Sequence, residues 1–132
     1  MSLPKKIKAA SKSHNERNDC SVKAVAILCN ATYDEAHAAL KAAGRKDRKG
    51  AGFDQIMKAV RSLGCYVEYD DELNHRGRNM HRITVNRVGA ALPKGRWLVY
   101  SNGHVLAVKN GEVLDWTKGR RHQARLAWEV SL

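Results

Sequence analysis

Cysteine is scarce: Cys20, Cys29 and Cys65 are the only three in 132 residues. So low and odd a number excludes a disulfide scaffold. No Cys-x-x-Cys pair occurs and no His/Cys group has zinc-finger spacing. No metal and no cofactor is therefore expected. Long apolar runs are missing too, with nothing near the ~20 residues that span a membrane. The opening MSLPKKIKAA is basic but has no apolar segment behind it, so it does not read as a secretory signal. The expected location is the cytoplasm. Acidic residues are in deficit, 13 against 24 lysines and arginines, for a net charge of +11. That excess favours anionic partners, either nucleic acid or an acidic protein. The basic residues gather at 5–12, 45–49 and 118–125. Arg45, Lys46, Arg48, Lys49, Arg120 and Arg121 are the candidates for anion contact. The plainer reading of these clusters is a solvated surface.

What remains is enough for one core. Hydrophobic residues make up 43% of the chain, and the length suits one domain. Residues 1–13 read as a basic flexible tail and residues 14–132 as the domain. In NDCSVKAVAILCN, the positions Val22, Val25, Ala26 and Cys29 form a helical stripe. Asn18 or Asp19 is placed to cap it, with Cys20 in its first turn. Thr32 and Glu35 make a capping box for a second helix that runs from Tyr33 and stops at Gly44. Ile56, Met57 and Val60, with Phe53, mark the inner face of a third helix over 54–63. The period then changes. Residues 65–69 read as a strand, 70–82 as loop, and 84–92 as a short helix ahead of Pro93. RWLVY, HVLAVK and EVLDW read as strands separated by Asn-Gly turns, and 125–130 as a last strand. Helices first and an antiparallel sheet second means α+β.

Three residues stand out chemically. A thiol in the first turn of a helix is placed to react, because the helix N-terminus favours the thiolate. Cys20 has that position, whereas Cys29 falls on the apolar stripe and reads as a core residue. His104 opens the HVLAVK strand. If Asn110 and Gly111 form the turn, Lys109 faces Glu112 and Leu106 faces Asp115. Asp115 then lies diagonal to His104 on the same face, within side-chain reach. The order nucleophile, imidazole, carboxylate suits a base that is itself oriented by an acid.

The sequence resembles papain-like cysteine peptidases, and most nearly the bacteriocin-processing C39 type. NDCSVKAVAI is similar to that family's Asp-Cys-x-x-x-Ala helix. KGAGFDQIMKAVRSLGCYVE is similar to the segment that follows it, and RWLVYSNGHVLAVKNGEVLDW to the strand–His–strand–Asp ending. The likeness covers about residues 14 to 116. It implies a papain-like fold, with N-terminal helices packed on a C-terminal antiparallel sheet, and a Cys20–His104–Asp115 triad. Two positions depart from the family. Its oxyanion Gln is replaced by His14, which leaves Asn15 or Asn18 as the amide donor beside the Cys20 backbone N–H. The usual Asp-Pro is Asp115-Trp116.

The implied activity is thiol-dependent hydrolysis of a peptide or isopeptide bond through an acyl-enzyme, on a peptide or protein substrate that the charge would make acidic. Amidase, deamidase and acyltransferase chemistry would use the same residues. A binding module for nucleic acid or an acidic protein, or an inactive relative that blocks an acidic partner, are the alternatives. His37, His75, His81 and His122 read as surface or loop residues. Trp97, Trp116 and Trp128 read as core or cleft wall. The acidic run at 70–72 does not have a calcium-loop pattern.

Overall fold

The computed structural model describes residues 5–16, 18–67, 78–101, 104–114 and 123–132. Asp115, Arg120 and Arg121 lie outside them, as do His75, His122, Trp116 and the acidic run at 70–72. Four helices come first: α1 (Lys5–Ser13), α2 (Cys20–Leu28), α3 (Tyr33–Ala42) and α4 (Phe53–Ser62). The short strands β1 (Tyr66–Val67) and β2 (Arg78–Asn79) follow, then a 3-10 turn at Val85–Arg87 and α5 (Val88–Ala91). Strands β3 (Arg96–Ser101), β4 (His104–Lys109), β5 (Glu112–Leu114) and β6 (Leu126–Ser131) complete the chain. The class is α+β, as the order of periodicities implies.

Local chemistry accounts for most element boundaries. Thr32 and Glu35 do form the capping box of α3, through Thr32 Oγ1 to the Glu35 N–H and Glu35 Oε1 to the Thr32 N–H. Helix α2 is buried almost all round, the mark of a central helix rather than a surface one. At Asn110-Gly111 both residues take positive φ, 50° and 82°. Two such residues make the turn that matches strand twist. The expected register follows, with Lys109 opposite Glu112 and Ala107 opposite Leu114.

Two expectations are corrected. Residues 5–13 are not a flexible tail. They form α1, with Ile7 and Ser11 buried against the domain. Its inward face, Ile7 with the small residues Ala10 and Ser11, was too weakly apolar to announce a helix by period. The stretch 70–82 is not wholly irregular either, since Arg78 and Asn79 pair with Ala127 and Leu126.

The sheet runs β1-β6-β3-β4-β5, with β2 also paired to β6. Its two faces bury different clusters. Leu98, Ala107, Trp128 and Val130 pack with α2, α3 and α4. Val99, Leu106, Val108 and Ala127 pack with Val85, Val88 and Leu92 on the other face. The alternation along β3 and β4 is what divides them. Helix α2 lies along β4 in the same direction. Cys20 at its start meets His104 and Val105. At its end the carbonyls of Ile27 and Leu28 accept from Arg96, whose strand partner is Lys109 at the far end of β4.

Candidate active site

That alignment brings the α2 N-terminus onto the first residues of β4. The Cys20 sulfur hydrogen-bonds the His104 side chain and the backbone of Val105. Burial by itself would raise this thiol. The His104 contact, the Val105 bond and a backbone bond from Ser21 outweigh it and hold the thiol below its ordinary value. Cys20 is also partly exposed. Access and a favoured thiolate are the two conditions for a reactive cysteine.

The other two thiols lack access. Cys29 and Cys65 are buried, 7% and 6% exposed. Burial and the touching Cys65 sulfur push Cys29 well up, against a smaller pull from Arg96. They read as core residues, as Cys29 does from its place on the helical stripe.

Cys20 opens onto a cavity of about 130 Å³. Ser21, Gly50, Ala51, Phe53, Ile56, Tyr100, Val105 and Trp128 are its other lining residues, none of them charged. Two of these, Phe53 and Trp128, meet with rings tilted by 41° and centres 4.6 Å apart. Two polar atoms on this lining, Ser21 Oγ and Trp128 Nε1, are buried with no hydrogen-bond partner among the described residues. Trp128 therefore is cleft wall, as expected. A larger, shallower hollow of about 380 Å³ runs between α1 and the start of α3, but no cysteine or histidine lines it.

The oxyanion candidates are not part of the cavity wall. Asn18 donates its side-chain N–H to the Arg48 carbonyl at 3.3 Å, and Asn15 is exposed in a turn at φ 51°. His14, at the family's Gln position, sits 2.6 Å from an Asp34 oxygen and against the rings of Tyr33 and His37. Asp19 occupies the N-cap of α2 but makes no capping bond. Its buried carboxylate instead accepts from Ser11 Oγ at 2.6 Å and the Tyr33 hydroxyl at 2.7 Å, and pairs with Lys23 at 3.1 Å. Burial would raise this carboxyl, but these partners bring it below its ordinary value.

The anion candidates divide. Lys46, Arg48 and Lys49 are exposed. Arg45 is not available to an outside anion. Its side chain and that of Glu16 are each 1% exposed, and they form a two-pronged pair at 3.0 and 3.1 Å. Glu16 Oε1 also accepts the Arg48 backbone N–H at 2.8 Å, and Oε2 lies 2.6 Å from His37 Nε2. Burial would raise the Glu16 carboxyl, yet Arg45, His37 and Arg48 bring it down to about 2. Glu16, His37 and Asp47 place ligand atoms within 4.8 Å of one another. Both Glu16 oxygens are already taken by Arg45, so the group is an ion network. Sequence reading missed it, because a glutamate inside the polar run HNERND carries no sign of burial.

Comparison with protein-family models, with characterised proteins and with solved structures finds no match.

Proposed function

We propose that this chain is a thiol-dependent hydrolase of papain-like design that acts on a peptide or isopeptide bond. The observation that carries the reading is the hydrogen bond between Cys20 and His104, made at the N-terminus of α2 and at the mouth of an uncharged cavity.

The chemistry follows from those groups. The Cys20 thiol passes its proton to His104, the resulting thiolate attacks the carbonyl carbon of the scissile bond, and the carbonyl electrons move onto oxygen. The oxyanion collapses, the C–N bond breaks, and His104 supplies the proton that the leaving amine needs. His104 then takes a proton from water, the hydroxide attacks the acyl-enzyme thioester, and Cys20 is released. The first turn of α2 faces the developing negative charge with its backbone N–H groups. The family resemblance assigns Asp115 the task of orienting His104. The uncharged cavity suits an apolar group on the acyl side of the bond.

The test is active-site labelling. Iodoacetamide at neutral pH should modify Cys20 first, and His104→Ala should slow that reaction at neutral pH. Preferential modification of Cys29 or Cys65 would count against the hydrolase.

A second reading rests on charge. Lys5, Lys6, Lys8 and Lys12 on α1 are exposed, as are Lys46, Arg48 and Lys49. Such a surface suits nucleic acid or an acidic protein. A gel shift across a salt series decides it, because phosphate contacts weaken as salt rises. The absence of binding at low salt removes this reading.

A further inference from the structure

The residues just ahead of the nucleophile grip the loop that walls its cavity. Glu16 holds that loop twice, through the Arg45 guanidinium and through the Arg48 backbone N–H. Asn18 holds it a third time, through the Arg48 carbonyl. The loop then runs directly into Gly50 and Ala51, which line the cavity beside Cys20. Asn18 and Arg48 both carry positive φ, 53° and 62°. Asparagine tolerates that conformation, but for a long side chain such as that of Arg48 it is uncommon and is held by surrounding contacts. The ties at Arg48 thus hold strained backbone on the loop side of the gap.

The physical setting makes this arrangement stiff. A buried carboxylate–guanidinium pair with two parallel bonds fixes direction as well as distance. Removing one partner leaves the other charged and dry, so the pair resists opening. By contrast the loop's own sequence, GRKDRKGAG, is glycine-containing and polar, with little to pack. Without an anchor such a segment samples many conformations.

We propose that Glu16 is a positioning residue of the Cys20 site. It fixes the 45–51 loop as a cavity wall, so that an apolar acyl group is presented to the thiol. The inference rests on the hydrolase reading above. Glu16 touches neither thiol nor substrate, and acts through Arg45 and Arg48.

Two electrophiles separate this role from a merely structural one. Iodoacetamide needs no cavity, whereas N-acetyl-leucine chloromethyl ketone must seat its side chain before it alkylates. Saturation kinetics at Cys20 are measured for both reagents on the wild-type chain, Glu16→Gln and Asn18→Ala. In Glu16→Gln the ketone should lose roughly tenfold to a hundredfold in efficiency, the range for a misplaced positioning element. The loss should appear in the saturation constant rather than in the maximal rate. Iodoacetamide should change less than about twofold, and Asn18→Ala should fall between wild type and Glu16→Gln. Equal losses for both reagents, or no loss for either, would overturn the proposal. A ketone that fails to saturate the wild-type chain would overturn it too. If Glu16→Gln does not fold, Asn18→Ala alone must still slow the ketone selectively, and the proposal fails if it does not. If His104→Ala leaves wild-type iodoacetamide rates untouched, the hydrolase reading itself fails, an outcome distinct from these.

Discussion

The Cys20 thiol and the His104 imidazole share a hydrogen bond that joins the first turn of α2 to the opening residue of β4. The residues that line the cavity beside Cys20 are uncharged. The balance that sets the thiol is therefore short: burial against one side chain and two backbone bonds. It makes the site sensitive to single substitutions.

The first expectation concerns that balance. In His104→Ala the largest lowering influence on Cys20 disappears while burial stays. The thiol then rises, and the pH at which alkylation reaches half its maximal rate moves upward. Rates of iodoacetamide modification measured from pH 5 to pH 10 would show the shift. An unchanged or lower inflection would mean that the imidazole does not act on this sulfur.

Acid stability follows from Glu16. Its folded-state carboxyl lies at about 2, below the ordinary value of 4.5. A depressed carboxyl contributes stability that is fully present above 4.5 and is lost as pH falls through about 2. Asp19 is displaced in the same direction. Thermal midpoints should thus decline with acid over this window, and Glu16→Gln should flatten the slope. A slope identical in the variant would contradict the assignment.

Breaking the buried ion pair from the other side should cost more. Arg45→Ala leaves Glu16 charged and enclosed, a change worth about 3–5 kcal/mol of folding stability. Lys46→Ala or Lys49→Ala, on exposed neighbours, should stay within about 0.5 kcal/mol. Urea unfolding monitored by tryptophan fluorescence compares the three.

Tyr33 offers a gentler probe of the same region. Its hydroxyl donates to Asp19, and both burial and that carboxylate push the hydroxyl up, so it remains a donor at any working pH. Tyr33→Phe removes one hydrogen bond to a charged group, at a cost of about 1.5–3 kcal/mol. Equilibrium unfolding gives the number. A neutral substitution would show that Ser11 and Lys23 satisfy Asp19 without it.

Much of this protein was decided along the chain itself. The capping box at Thr32 and Glu35, the stop at Gly64 and the Asn110-Gly111 turn are local events, and local sequence is enough to specify them. The register of β4 against β5 follows from that turn. The change of period from helical to alternating stripes after Gly64 separates helices from strands, and so sets the α+β class. What the tertiary structure alone decided is contact between distant segments. Alternation along β4 groups His104 with Leu106 and Val108, on the face away from α2, and it is the meeting of the α2 N-terminus with the very first residue of the strand that brings Cys20 to it. Arg45 looked like an anion site because its sequence neighbours are basic. The anion it finds is Glu16, which arrives from another part of the chain. Helix α1 escaped notice because Ile7 with the small Ala10 and Ser11 makes too weak an apolar period, and burial is a property of what packs against it. Charge pairing and burial are long-range quantities, fixed only once the chain has closed on itself.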